Sequence, residues 1–201
     1  MTDGRPGAQR HIFTIGHSSH ALPTFLELLA QHRIEVVADV RSHPYSKYAS
    51  HFSIHELRSA LTDVAVRYVH LGAELGGRPP GDEFYSEDGR VLYWRVAQAP
   101  FFLSGINRLE GGCDQYRVAM MCSEEDPLGC HRHLLIGRVL HERGTLVEHI
   151  RANGAVECAS YEAPAQMLLF TTNEETTWTS IRPVSQRRTQ SASLEAYDEP
   201  E

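Results

Sequence analysis

The chain has 201 residues, 41% hydrophobic and 22% charged, which is enough length and apolar content for one globular domain with a sizeable core. A formal net charge of -7 argues against a protein that coats nucleic acid by bulk charge, while leaving room for a local basic pocket. No run approaches the ~18 apolar residues of a membrane span, and the opening MTDGRPGAQR lacks the apolar stretch of a secretory signal, so the four cysteines are expected reduced in a cytoplasm.

Residues 1–10 are expected to be a flexible N-terminus. HIFTIG (His11 to Gly16) then reads as a strand and Ala21 to Arg33 as a helix, with Pro23 in its first turn and Leu22, Phe25, Leu26 and Leu29 on one face. Glu35 to Val40 is a second strand, apolar enough to be buried on both sides. Ser53 and Glu56 fit a capping box at the start of the next helix, and Val66 to Leu71 is a third strand. A long loop from Gly72 to Gly89 leads to a helical region holding Trp94, Phe101, Phe102 and Leu103, which Gly111 and Gly112 are expected to stop.

Tyr116 to Cys122 is a fourth strand and Cys130 to Arg143 the following helix, closed by Gly144. Two short runs flank Asn153-Gly154, the strongest short hairpin signal. Tyr161 to Phe170 predicts a last short helix, and 171–201, with almost no large aliphatics, an unstructured tail. The expected fold is therefore a single α/β domain over 11–170. It is a mainly parallel sheet with helices on both faces, Rossmann-like and three-layered, with an antiparallel hairpin at one edge.

In such sheets ligands bind beyond the carboxyl ends of the strands. That rule gathers Gly16-His17-Ser18, Asp39 and Arg41, His70 through Arg78, and Cys122 through Arg132 on one rim. In CSEEDPLGCHRH, Cys122 ends a strand and Cys130 stands at a helix start, where amide dipoles and Arg132 favour thiolate. Glu124, two residues past the strand end, is placed for general acid–base work. Asp39 and Arg41 alternate with Val40 and can pair, either fixing the loop or letting Arg41 present its fork to an anion, with Ser46 adding a donor. Ser18 sits in a similar anion-binding turn with His17 beside it, and Ser19 reads as the N-cap of the first helix. Gly77 before Arg78 allows close backbone approach to a ligand.

Cys122, Cys130 and His131 supply metal-ligand atoms, but their spacing departs from the pairs usual in structural zinc sites, and His133 would face away from His131. There is no C-x-x-C, and Leu128 and Ile136 stand where a cysteine phosphatase loop would carry its arginine. Neither G-x-G-x-x-G nor a P-loop is present.

Together GHSSH, DVRSHPYS, HLGAELGGRP and MCSEEDPLGCHR resemble the domain of unknown function 488 (DUF488) family, over about Ile12 to Gly144. The resemblance covers Gly16, His17, Ser18, Asp39, Arg41, Pro44, Ser46, Gly76, Gly77, Cys122, Glu124, Cys130, His131 and Arg132, and implies no particular activity. From the residues, the first reading is a hydrolase or group transferase acting on a phosphate-bearing, nucleotide-like small molecule. In it Glu124, His17, Cys130, His131 and Asp39 carry the chemistry, and Gly16, Ser18, Arg41, Ser46, Gly77, Arg78 and Arg132 hold the substrate. A non-catalytic nucleotide or nucleic-acid binding module, and a metal or redox protein built on Cys122, Cys130 and His131, are the alternatives. No cofactor is required by the sequence.

Overall fold

Six runs rich in valine, isoleucine and other strand formers make one sheet in a computed structural model that describes residues 9–46, 49–161 and 178–184. In chain order they are β1 (His11–Gly16), β2 (Val36–Asp39), β3 (Arg67–His70), β4 (Val118–Cys122), β5 (Leu146–Ile150) and β6 (Val156–Cys158). Their spatial order is β3-β2-β4-β1-β5-β6. All pairs are parallel except β5 with β6, so the expected three-layer α/β fold and its edge hairpin are present. Gly154 takes φ +80 in the hairpin loop, a left-handed position that suits glycine. Among the described residues no helix is long and apolar enough to cross a membrane.

Strand periodicity divides the core. Along β4, Val118, Met120 and Cys122 join one apolar cluster, while Ala119 and Met121 join the other. Helices α1 (Leu22–Gln31) and α2 (Ile54–Asp63) cover the second face with Phe25, Leu28, Leu29, Leu57 and Leu61. The first face is covered by α3 (Gly72–Leu75), α4 (Tyr93–Val96) and α5 (Pro100–Cys113), together with a π-helical segment, Arg132–Gly137, that continues into α6 (Arg138–Glu142).

The chain leaves β1 through α1 on one face to reach β2, and leaves β4 through the π-helical segment and α6 on the other face to reach β5. Neighbouring strands β1 and β4 thus send their loops to opposite faces, the arrangement that opens a ligand site in α/β sheets. Register levels the strand ends there: Gly16 lies opposite Cys122, and Asp39 opposite both Met121 and His70.

Several local expectations are corrected. Gly111 and Gly112 lie inside α5, which runs on to Cys113 while Leu109 and Glu110 are held in the interior. Ser53 does occupy the N-cap of α2, but its hydroxyl makes no capping bond and accepts from Ser46 N instead, 3.3 Å away. The N-cap of α1 is Ala21 rather than Ser19, and Leu28 joins Phe25 and Leu29 on its buried face, with Leu22 and Leu26 half-buried against the same core. The long loop after β3 contains α3 and a 3-10 turn, Asp82–Phe84.

Trp178 to Val184, expected in the unstructured tail, are tied to the body. Thr179 bridges Leu92, Ser180 Oγ accepts from Val91 N at 2.9 Å, and Trp178 Nε1 donates to Leu134 O at 2.7 Å. The rest of the expected tail, all but Tyr161 of the last short helix and nearly all of the N-terminal segment lie outside the described residues.

Candidate functional site

The loop after β4 doubles back on itself. Asp126 Oδ1 accepts from Leu128 N at 3.0 Å, capping a 3-10 turn over Pro127–Gly129, and Cys130 N then donates to Pro127 O at 3.0 Å. This returns the sulfur of Cys130 to the side of Cys122. Glu124 Oε2 lies 3.1 Å from each sulfur and accepts from both thiols. Both cysteines are buried, whereas Glu124 is exposed, so its carboxylate joins a dry sulfur pair to the solvent side. His131 Nδ1 completes the group, 3.7 Å from Cys122 Sγ and 3.9 Å from Cys130 Sγ. Its other nitrogen, Nε2, is 3.1 Å from Val40 O. A carbonyl can only accept, so Nε2 carries a proton.

The two thiols titrate as a pair. Cys122 is pushed up by its hydrogen bond with Cys130 and by burial. For Cys130, burial acts upward, but the hydrogen bonds of Cys122 and His131 and the charges of His131 and Arg132 outweigh it and bring the thiol down. His131 is raised: burial works against its charged form, and the bond to Cys130 with the nearby negative charge prevails. Of the two, Cys130 is therefore the thiol that gives up its proton first, beside an imidazole ready to hold one.

Two glycines let neighbouring loops close on this group. A Cβ on Gly16 would run into the Glu124 carbonyl, and one on Gly77 would stand 2.9 Å from Nδ1 of His131. Arg78 follows Gly77 with its side chain exposed, and its backbone N–H donates to Ser42 Oγ at 3.0 Å.

A second polar cluster adjoins the first through Val40. Asp39 is wholly buried and accepts twice from the Arg41 guanidinium, Nε to Oδ1 at 2.9 Å and Nη2 to Oδ2 at 2.6 Å, once from the Arg41 backbone N–H at 3.0 Å, and from Tyr68 Oη at 2.7 Å. Arg41 Nη2 also donates to Phe52 O, and Nη1 lies 3.1 Å from His17 Nε2. The guanidinium only donates, so His17 is a neutral acceptor there; its Nδ1–H donates to Ser18 O at 3.0 Å. Burial and then the charge of Arg41 push His17 down to about 4, and its ring stacks on Phe52 at 4.4 Å. In this geometry Asp39 orients Arg41, and His17 braces it.

Arg132 has a different position from the one expected of a substrate anchor on the rim. It is 1% exposed, and its fork faces inward, donating to the backbone carbonyls of Glu124 and of Glu125 (2.6 Å to the latter), while Nε donates to Thr14 Oγ1 at 3.3 Å. Behind it runs a chain of neutral groups: Thr14 Oγ1 lies 2.7 Å from His149 Nδ1, and His149 Nε2 lies 3.0 Å from His133 Nδ1. Ser18 keeps φ +45 and donates its N–H to Ser123 O at 2.8 Å, extending the β1–β4 ladder. Ser46 Oγ accepts from Ala49 N at 3.0 Å, within its own loop.

The structure thus brings Gly16, Gly77, Cys122, Glu124, Cys130 and His131 together and sets Asp39, Arg41 and His17 beside them, with Arg132 underneath. Thr14, Tyr68, His149 and the Val40 carbonyl were not legible as site residues. Tyr68 could have been suggested by the pairing of β3 with β2, but a carbonyl leaves no side-chain signal.

No curated protein and no solved structure matches the chain. A family model described as "Domain of unknown function DUF488" matches residues 21–139, beginning after Gly16-His17-Ser18 and including both cysteines, Glu124 and His131. With more than half of its length matched, the chain belongs to the DUF488 family.

Proposed function

We propose that this protein is an enzyme, a hydrolase or group transferase, working where the β1 and β4 loops diverge on a small phosphate-bearing, nucleotide-like compound. The observation that carries this reading is Glu124: an exposed carboxylate whose Oε2 touches two buried sulfurs at 3.1 Å, with an imidazole behind them. Such a carboxylate can exchange protons with a substrate on one side and with a fixed polar group on the other, as general acid–base catalysis requires. Arg78 supports an anionic substrate, because its exposed guanidinium follows the glycine that lies against His131. Arg41 contributes less charge, being paired with Asp39. The cysteines are unpaired among the described residues, which supports a reducing, cytoplasmic setting.

A thermal-shift screen with nucleotides and sugar phosphates should find a stabilising ligand, since a compound that binds only the native state raises its stability by mass action. With that compound, Glu124→Gln should keep the shift and lower turnover about 10²–10⁴-fold. Arg78→Ala should weaken the binding of anionic compounds selectively. Turnover unchanged in Glu124→Gln would overturn the assignment.

A further inference from the structure

We propose that Cys122 Sγ, Cys130 Sγ and His131 Nδ1 form a binding site for one zinc-class divalent cation, with its fourth coordination position facing Glu124. This rests on the reading of Glu124 as the proton-moving group and supplies the centre on which it would act.

The distances are those of a tetrahedral site before its ion arrives. Metal–sulfur bonds of about 2.3 Å and metal–nitrogen bonds of about 2.0 Å, at the tetrahedral angle, separate sulfur and nitrogen by about 3.5 Å. The two such separations here are 3.7 and 3.9 Å, and all three donor atoms lie within 4.8 Å of one another. Closing onto an ion takes a few tenths of an ångström between each sulfur and Nδ1, and at most about 1 Å between the two sulfurs, which two 2.3 Å bonds hold about 3.8 Å apart.

Independent support comes from the outer side of the imidazole. A metal-bound histidine is usually oriented by its other nitrogen donating to a carbonyl or carboxylate, which fixes the tautomer that leaves a lone pair for the metal. His131 Nε2 donates to Val40 O at 3.1 Å, and Nδ1 faces the sulfurs.

Sequence spacing spoke against this set because Cys130 and His131 are adjacent. The backbone removes the objection. Cys130 is extended (φ -113, ψ 141) and His131 is helical (φ -60, ψ -23), so the bend between them turns both side chains the same way. His133 turns into the interior toward His149.

Two sulfurs and an imidazole suit zinc and its neighbours and are poor ligands for magnesium or calcium, which take oxygen. On binding, each thiol gives one proton to solvent and its sulfur forms a bond to the ion. Glu124 loses the two S–H donors that hold it and is left beside the fourth position. There a water bound to the ion would offer it a proton, the arrangement of open catalytic sites.

The test uses the full-length protein stripped with a chelator and titrated with Co²⁺ or Zn²⁺. One equivalent of Co²⁺ should produce intense thiolate-to-cobalt bands and the visible bands of a tetrahedral site. Cys122→Ser and Cys130→Ser should each lose them, and His131→Asn should bind at least about 10-fold more weakly. Cys113→Ser and Cys158→Ser should leave the bands intact, and Glu124→Gln should keep one equivalent. The stripped wild-type protein, kept folded by circular dichroism, controls for unfolding. Absence of saturable binding to folded wild-type protein, or bands that survive both Cys122→Ser and Cys130→Ser, would overturn the site. Glu124-dependent turnover without metal would remove this inference alone. Stoichiometric metal with no turnover of any screened compound would remove the enzyme reading alone.

Discussion

Replacing Arg132 by methionine tests how the Glu124 loop is held. The side chain is 1% exposed, so methionine fills most of the vacated aliphatic volume and the change is chiefly the loss of donors. Two bonds from a charged fork to the carbonyls of Glu124 and Glu125 disappear, each contributing about 1.5–3 kcal/mol, and the Glu124 carbonyl is covered by Gly16 and is left without that donor. Against this, removing a buried guanidinium relieves its desolvation, and the carbonyls are neutral, so the loss stays below the full sum. The expected net destabilisation is about 2–4 kcal/mol. It should appear as a lower midpoint in urea at unchanged slope. Hydrogen exchange at the Leu128 amide, bonded to Asp126 in the same loop, should quicken. Arg132→Lys should recover only part, because an ammonium cannot span two carbonyls as a fork does. An unfolding free energy within about 0.3 kcal/mol of wild type would show that the arginine is not the clamp.

Three further outcomes follow from named geometry. His149 is pushed down to about 3 by burial and then by the neighbouring His133 and Arg132, so it is neutral when folded and protonates near 6.5 when unfolded. The unfolded chain binds the extra proton as the pH falls below 6.5, so stability is full above that value and falls toward the folded value; between pH 7 and 5 the loss is about 2 kcal/mol. Urea melts at the two values should show it, and His149→Gln should flatten the slope; an equal slope in both proteins would remove the argument. Gly77→Ala places a methyl 2.9 Å from Nδ1 of His131 and should weaken Co²⁺ binding at least about 10-fold. Gly111→Ala, inside α5 with nothing within 4 Å, should instead stabilise by about 0.5–1 kcal/mol without touching the metal.

What the sequence revealed and what it hid divide along a physical line. Apolar, β-branched runs located β1, β2 and β4, whose side chains are buried on both faces, and the Asn153-Gly154 turn located the β5–β6 hairpin although β6 is exposed. The ends of those strands then pointed to Gly16, Asp39, Cys122 and Glu124 before any contact was known. Arg132 was misplaced because the rim rule places every residue of the loops beyond the strand ends within reach of a ligand, and only the fold shows the loop turning two carbonyls inward toward it. Gly111 and Gly112 misled because packing of Leu109 and the pairing of Glu110 with Arg143 outweigh the helix-ending tendency of glycine.

The set Cys122, Cys130 and His131 departs from the usual zinc-ligand spacing, a rule that leaves out backbone conformation, whereas here an extended Cys130 meets a helical His131. The cluster is in consequence more local than a rim shared by four loops would suggest. Its sulfurs, carboxylate and imidazole all come from the stretch Cys122 to His131, and the other loops position them. The β1 loop does so through Gly16, the β2 loop through the Val40 carbonyl, and the β3 loop through Gly77. Changes in those three loops should therefore alter the geometry of the centre without removing any donor. Substitution of either cysteine within the stretch should abolish it.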